Sequence, residues 1–284
     1  MVGRAATGSI FDLDRMAPSA AAAEFVEHFW SVRWDLTGRT PQESLVIAFP
    51  SINLTHEWGT DSPRHGFTLP ATLVHGVVQR IFAIELSGRG AVVGARFRPG
   101  GFTARFGRDA SVLTGRVVCV DDDLFDSPAL FDDDIDGATA QLDAMIGART
   151  DPDPTYASLT ALLARIRDDD AIQRVEHVMA CSPWSARTTQ RVFRHYVGVP
   201  VKWVLCRYRL QRAALAIETD RSVDLADLAV RFGWYDQAHF TNDFRSMLGC
   251  SPSGTPERAR PAVRAVRTQS AQVSASRAVW CLMW

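Results

Sequence analysis

The spacing of apolar residues changes near residue 171, and this change restricts most strongly what the chain can fold into. Before it, apolar and polar residues alternate over short runs, which is typical of strands. After it, apolar residues recur at i, i+3, i+4 and i+7, which is the period of an amphipathic helix. The sequence therefore predicts an α+β chain, with a β-rich N-terminal part and an all-α C-terminal part.

Residues 222–248, which we call the second unit, show the helical pattern most clearly. A helix is predicted over residues 224–232, with Ser222 as its N-cap and Gly233 as the left-handed residue that follows its end. Asp236 is then predicted to cap another helix. The buried stripe of that helix is expected to consist of Phe240, Phe244, Met247 and Leu248. A helix, a tight glycine turn and another helix make up the helix-turn-helix unit found in many DNA-binding proteins.

The same order occurs earlier in residues 171–196, which we call the first unit. One helix is predicted before a turn at residues 181–183, and Ser185 is predicted to cap the next helix. The inward face of that next helix is expected to consist of Val192, Phe193 and Tyr196. Counting 100° per residue places four polar residues together on the outward face, namely Arg187, Gln190, Arg191 and Arg194.

These four residues, which we call the first reading face, have the chemistry that major-groove recognition requires. An arginine side chain donates two hydrogen bonds to guanine, and a glutamine side chain pairs with adenine. Arg194 is further from the helix N-terminus and is expected to contact a phosphate. The alternative is that this is an ordinary solvated helix face.

A long helix is predicted between the two units, over residues 200–218. At 1.5 Å per residue it separates the units by ~28 Å, so they could enter successive major-groove segments ~34 Å apart. The outward face of the last helix, which we call the second reading face, is less basic. It consists of Gln237, Ala238, His239, Asn242 and Arg245.

Residues 171–258 resemble the C-terminal DNA-binding domain of AraC/XylS-family transcriptional regulators. The matching residues of the first unit and the long helix are Ser185, Arg191, Val192, Phe193, Gly198, Arg209, Leu210 and Ala213. The matching segments of the second unit are 225–229, 232–234, 236–240, 244–245 and 249–252. The resemblance implies base contacts by Arg187, Gln190 and Arg191 in the first unit and by Gln237, Ala238, His239 and Asn242 in the second.

The N-terminal region contains several short strand-like runs separated by turn-forming residues, which favours an antiparallel barrel or sandwich. The runs are residues 30–36, 45–49, 73–78, 81–86 and 91–97. Helices are predicted near residues 102–106, 137–148 and 155–167. Residues 94–101 resemble a loosely cupin-like, sensor-type domain that precedes the DNA-binding module in one branch of the family, and this resemblance implies no particular ligand.

Charge is distributed unevenly along a chain whose net charge is only -1. Residues 121–170 carry -11, whereas residues 171–262 carry +5 and residues 263–284 carry +3. This asymmetry favours an acidic connector beside a basic module that meets a polyanion. The expected organisation is a β-rich regulatory domain with the connector at 1–150, a DNA-binding domain at 155–262 and a flexible tail at 263–284.

Other chemistry has less support in the sequence. No metal site is predicted, because no two of His28, His56, His65 and His75 have a tight ligand spacing. No catalytic residue and no cofactor are predicted, since there is no GxSxG motif and no glycine-rich phosphate loop after a strand. One alternative is an alkyl-transfer DNA-repair protein with the same module, which requires clustered cysteines near the N-terminus, whereas the first cysteine here is Cys119. A non-DNA interaction module is another alternative.

The sequence therefore predicts a sequence-specific DNA-binding transcription regulator, not an enzyme, that binds promoter or operator duplex DNA. A small-molecule effector, RNA polymerase and a second copy of the chain are candidate further partners. The five widely spaced cysteines favour a reducing compartment, and no apolar stretch approaches the ~18 residues of a membrane span. The expected location is the cytoplasm of a bacterium, with no membrane partner.

Overall fold

The computed structural model describes residues 11–46, 49–61, 63–120, 134–148, 153–220 and 222–252. Within these ranges no helix is long and apolar enough to cross a bilayer. Residues 121–133, which make up most of the aspartate-rich part of the predicted connector, and the predicted tail lie outside the described residues. The strands of the described ranges all lie before residue 120, and the α-helices follow them apart from one short helix at Gly101–Phe106, so the predicted α+β class is confirmed.

Residues 11–120, which we call the sheet domain, contain the strands of the described chain. They are β1 (Phe11–Met16), β2 (Val26–Leu36), β3 (Gln42–Val46), β4 (Asn53–Gly59), β5 (Ala71–His75), β6 (Phe82–Leu86), β7 (Gly88–Phe97) and β8 (Val117–Cys119). Six strands form one antiparallel sheet in the order β1-β2-β7-β4-β5-β8, and β3 pairs with β6 in a second sheet.

Alternation of apolar and polar residues explains β2, the second strand of the six-stranded sheet. Trp30, Val32 and Trp34 are all buried on one face of this strand. Trp30 lies opposite Gly94 of the antiparallel neighbour β7. A Cβ atom at position 94 would overlap the indole ring, so this glycine allows the tryptophan to lie directly against the neighbouring backbone.

Strand β4 is absent from the sequence-based prediction, and its burial explains why. Leu54 is buried on one face, while Thr55 and Glu57 are buried on the other. Because polar side chains occupy an interior face, β4 has no apolar alternation that could identify it. Strands β1 and β8 were not predicted as separate strands either.

The predicted helices are present, with ends that differ by a few residues. They are α1 (Gly101–Phe106), α2 (Ile135–Ile146), α3 (Pro154–Asp168), α4 (Val175–Cys181), α5 (Ala186–Val192), α6 (Val201–Thr219), α7 (Leu225–Arg231) and α8 (Gln237–Leu248). Helices α4 and α5 form the first unit, α7 and α8 form the second, and α6 is the continuous helix predicted between them.

One predicted cap is wrong. Asp224, not Ser222, caps α7, because its carboxylate accepts hydrogen bonds from the backbone N–H groups of Ala226 and Asp227 at 2.7 and 3.0 Å. Ser222 lies three residues before the first residue of α7, and its hydroxyl donates to Asp220 instead. The predicted caps Ser185 of α5 and Asp236 of α8 are confirmed, as is the left-handed Gly233, with φ at +82°.

The two units differ in how their cores are built. Many buried residues of the sheet domain and those of the first unit form one cluster, in which Phe97 and Phe102 join Leu159, Phe193 and Val204. A further cluster, which includes Trp30, Val32 and Trp34, lies within the sheet domain. The second unit has its own cluster, which begins on α6. Its members include Leu210, Phe232, Trp234, Phe240 and Phe244. The domain boundary expected near residues 151–154 stays a prediction, and the apolar core of the described chain continues across it.

Candidate nucleic-acid interface

Helix α5 carries three residues of the first reading face. Thr189 and Val192 of this helix are buried, which turns the opposite side outward. Arg187 and Arg191 are exposed on that side, and Gln190 is partly buried beside them. The structure therefore brings these three predicted residues together on one accessible surface.

The chain does not continue as a regular α-helix after α5. Residues 193–197 form a wider, π-type turn that ends at Gly198, whose φ is +86°. The Gly198 N–H bonds to the carbonyls of both Phe193 and Arg194 at 3.1 Å. Arg194 is exposed, but it lies in this wider turn, so the count of 100° per residue that placed it beside Arg191 does not apply there.

Helix α8 carries the second reading face. All five of its predicted residues are exposed, namely Gln237, Ala238, His239, Asn242 and Arg245. The Asp236 carboxylate accepts a hydrogen bond from the backbone N–H of His239 at 2.7 Å, which fixes the start of the helix. Phe240 and Phe244 are buried on the opposite side. The face is therefore polar, and Arg245 contributes its positive charge.

Tyr235 is a further surface residue beside the second reading face, and it is not among the residues predicted from the sequence. Its side chain is 90% exposed, immediately before the residue that caps α8. Its neighbour Trp234 is buried, so the chain turns one aromatic ring inward and the next one outward. Two adjacent aromatic residues in a turn were the signal that could have identified it.

Arg209 of α6 holds the turn of the second unit. Its Nε donates a hydrogen bond to the carbonyl of Phe232 at 2.5 Å, and its guanidinium lies 4.0 Å from the ring centroid of Trp234. The Trp234 indole N–H donates in turn to Asp243 of α8 at 2.9 Å. The long helix, the turn and the reading helix are thus joined by a hydrogen bond, a cation–π contact and a second hydrogen bond.

Cys206 of α6 belongs to the same network. Its thiol donates to Asp243 at 3.4 Å, and burial, followed by the nearby Asp243 charge, raises the pKa of Cys206 to about 12.

Alkylation requires the thiolate, so we expect iodoacetamide to modify the exposed Cys119 long before Cys206 in the native protein. Peptide mass spectrometry over time measures both rates, and unfolding in urea should make them similar. Equal rates in the native protein would contradict the buried position.

The end of the first unit is bonded to the sheet domain by two threonine side chains and to the start of α3 by Tyr196. The Thr103 hydroxyl donates to the carbonyl of Tyr196 at 3.2 Å, and the Thr114 hydroxyl donates to that of Gly198 at 2.7 Å. The Tyr196 hydroxyl donates to Asp153 at 2.8 Å, and burial, followed by this carboxylate, raises the pKa of Tyr196 to about 12. The end of the first reading helix is therefore fixed to the sheet domain.

The long helix α6 also packs against the sheet domain, through a buried arginine. The Arg207 guanidinium lies 4.9 Å from the ring centroid of Phe49, and Arg96 of β7 lies 3.6 Å from the same centroid. Burial, followed by the Arg96 charge, lowers the pKa of Arg207 to about 9. This packing of two arginines against one ring fixes the position of α6 relative to the sheet.

A carboxylate–histidine cluster lies in the sheet domain, although no metal site is predicted from the sequence. It consists of Glu57, His65 and His75, whose ligand atoms all lie within 4.8 Å of one another. Burial opposes ionisation of Glu57, but the hydrogen bond from His75 and the neighbouring positive charges lower the pKa of Glu57 to about 2. Spacing along the chain could not reveal this cluster, because strand pairing and a turn bring the three residues together.

Two family models match separate parts of the chain. Residues 14–119 match a domain of unknown function, and residues 182–258 match a helix-turn-helix domain. The HTH-type transcriptional activator AarP of Providencia stuartii is 36% identical over 64 residues, which are 22% of this chain and 47% of AarP. YkgA of Escherichia coli K12, which carries the name of an HTH-type transcriptional regulator, is 30% identical over 78 residues, 28% of this chain and 32% of YkgA. The chain thus spans less than half the length of either relative.

Among solved structures, ToxT from Vibrio cholerae has a TM-score of 0.36 and 10% identity, over 86% of this chain and 97% of ToxT. The structure of ToxT bound to an unsaturated fatty acid has a TM-score of 0.34 and 11% identity, over 86% of this chain and 90% of that one. The helix-turn-helix model and the two named relatives confirm the resemblance seen in the sequence, and residues 182–258 match a helix-turn-helix domain.

Proposed function

We propose that the chain is a sequence-specific transcription regulator that reads duplex DNA with its two reading faces. The observation that carries this proposal is that two helix-turn-helix units, joined by one continuous helix, each turn a polar helix face to solvent. Helix α6 has 19 residues and spans about 28 Å. Successive major-groove segments on one side of DNA are about 34 Å apart, so the two units of a single chain fit neighbouring segments.

The reading faces have different tasks in this proposal. Arg187, Gln190 and Arg191 contact base edges from the first unit, and Arg194 contacts a phosphate. In the second unit the contacts come from a face that is mostly neutral and hydrogen-bonding. Its members are Gln237, Ala238, His239, Asn242 and Arg245. The first unit therefore supplies most of the positive charge of the interface.

The partners follow from this role. The DNA is a promoter or operator, and the sheet domain is the regulatory part, where a small-molecule effector would act. RNA polymerase and a second copy of the chain are further partners of a regulator of this kind. The names of the two relatives support regulation of transcription rather than catalysis. We place this activity in the cytoplasm.

Selection of bound duplexes from a randomised library, with the full chain, tests the proposal. We expect enriched sequences with two half-sites about one helical turn apart, roughly 34 Å. We also expect the logarithm of affinity to fall linearly with the logarithm of salt concentration, since phosphate contacts release counterions. Failure to enrich any sequence, together with no salt-dependent duplex binding, would instead support a module that binds another protein.

The regulatory role of the sheet domain needs a separate measurement on the full chain. A fragment that begins near residue 155 is unsuitable, because the first unit shares its apolar core with the sheet domain. Operator affinity should therefore be measured on the full chain with and without each candidate effector. A change with at least one compound supports the regulatory role, and an unchanged affinity with all of them argues against it.

A further inference from the structure

We propose that Glu57, His65 and His75 form a binding site for a divalent transition-metal ion of the zinc class inside the sheet domain. Glu57 Oε1 lies 3.1 Å from His75 Nε2 and 3.9 Å from His65 Nε2. The bonds from such an ion to these atoms are about 2.0–2.2 Å long, so bound ligand atoms lie a little over 3 Å apart. The three atoms therefore need shifts of only about 1 Å to surround one ion.

Two neighbouring strands position the first two ligands. Glu57 lies on β4, and His75 lies on the paired strand β5. Thr55 lies between them on the same face, and its hydroxyl oxygen is 3.0 Å from both Glu57 Oε1 and His75 Nε2. Three polar atoms thus converge on one face of the sheet. A metal ion would replace the proton in the hydrogen bond between the Glu57 and His75 side chains.

The third ligand comes from a turn, and its neighbour Arg64 orients the carboxylate. The Arg64 guanidinium donates to Glu57 Oε2 at 3.2 Å and lies 4.7 Å from the ring centroid of Trp34. This contact leaves Oε1, the other carboxylate oxygen, directed toward the histidines. Metal ligands in proteins are commonly oriented by a second residue in this way.

The backbone at His65 is held in an unusual conformation. Its φ is +52°, in the left-handed region, and within the described ranges no other non-glycine residue has a positive φ. Two backbone hydrogen bonds between Arg64 and Phe67, at 2.9 and 2.8 Å, close the turn around it. Conformations of this kind persist where the surrounding structure imposes them, and they are concentrated at ligand sites. Here the turn directs the imidazole at Glu57.

The donor set and the solvent access indicate the class of ion. Two imidazole nitrogens and one carboxylate oxygen suit zinc, cobalt, nickel or ferrous iron, whereas magnesium and calcium prefer oxygen ligands. The Glu57 side chain is 3% exposed, but those of His65 and His75 are 14% and 16% exposed. Water or an anionic compound can therefore reach the remaining coordination positions from the histidine side. The proposal does not depend on the DNA-binding role.

Binding of Zn²⁺ and Co²⁺ to the full-length protein, after removal of metal with a chelator, tests the site. We expect one saturable equivalent, a rise in melting temperature on metal addition, and visible Co²⁺ absorption bands without the thiolate charge-transfer band of a cysteine site. Glu57→Gln, His65→Asn and His75→Asn should each lose saturable binding. Asparagine tolerates the left-handed backbone at position 65, so that variant preserves the turn.

His177→Asn is the matched control, because this exposed histidine on α4 lies outside the cluster. It should bind metal as the unchanged protein does. X-ray absorption of the Zn²⁺-loaded unchanged protein gives a readout that does not depend on the folding of any variant, and we expect two imidazoles per ion. The proposal is wrong if the unchanged protein shows no saturable binding, if the absorption spectrum shows fewer than two imidazoles, or if the folded His65→Asn and His75→Asn variants bind normally. The cluster would then be a metal-free hydrogen-bonded network.

Discussion

We expect the Phe240→Ala substitution to unfold the second unit while the sheet domain and the first unit stay folded. Phe240 is fully buried, and its ring centroid lies 5.0 Å from that of Trp234 and 5.5 Å from that of Phe244. Loss of such a side chain costs about 3–5 kcal/mol in the free energy of unfolding. The core of the second unit is a small, separate cluster, so this loss is large relative to the stability of the unit.

Hydrogen exchange followed by mass spectrometry gives the measurement for each part of the chain. Amides of α7 and α8 should lose protection in the Phe240→Ala variant, whereas those of β2, β7 and α3 should keep it. Phe193→Ala is the matched comparison, because Phe193 is equally buried but belongs to the core shared with the sheet domain. That variant should lower protection in the sheet as well.

Tyr235→Ala is the surface control. This ring is 90% exposed, so its removal should change the free energy of unfolding by no more than about 0.5 kcal/mol. A uniform loss of protection along the whole chain in Phe240→Ala would show instead that the core of the second unit unfolds together with the core shared by the first unit and the sheet domain.

We expect Arg191→Ala to weaken binding to the selected operator by about 1–3 kcal/mol, or roughly 5- to 150-fold. Arg191 is exposed on the regular part of α5, where a guanidinium can form two hydrogen bonds with a guanine. The same substitution should change affinity for random DNA much less, and it should relax the preference at one base position. Fluorescence anisotropy on matched operator and random duplexes measures both effects.

Arg194→Ala is the informative companion variant. Arg194 lies in the wider turn after α5, and a phosphate contact from there should weaken operator and random DNA to a similar extent. Arg39→Ala, at an exposed arginine in the sheet domain, controls for the loss of one positive charge. Equal losses on operator and random DNA for Arg191→Ala would show that Arg191 does not read a base.

The second unit could be predicted almost entirely from the sequence, because its structure is determined by nearby residues. The apolar stripe of Phe240 and Phe244, the cap at Asp236 and the left-handed Gly233 are all local signals, and all are confirmed. Ser and Asp are both good capping residues, and the predicted cap, Ser222, lies two positions before the actual cap, Asp224. Of these two residues, Asp224 is the one whose side chain accepts hydrogen bonds from the first backbone N–H groups of α7.

Features that depend on distant residues could not be predicted in this way. Strand β4 is buried on both faces, so Thr55 and Glu57 look like surface residues in the sequence although they are interior. The cluster of Glu57 with His65 and His75 requires the pairing of β4 with β5 and a turn between them. The widened turn at residues 193–197 is likewise bonded to the sheet domain, by Thr103.

The position at which α6 passes from one core to the other has a consequence for how such chains evolve. Tyr208 belongs to the core shared with the sheet domain, and Leu210 belongs to that of the second unit. Genetic recombination with a joint just before Arg209 would transfer the second unit with all the fully buried residues of its core and with the arginine that holds its turn. A joint near residue 154 would instead separate packed surfaces. We therefore expect homologous chains to acquire new second half-sites by exchange of a segment, and new first half-sites by single substitutions.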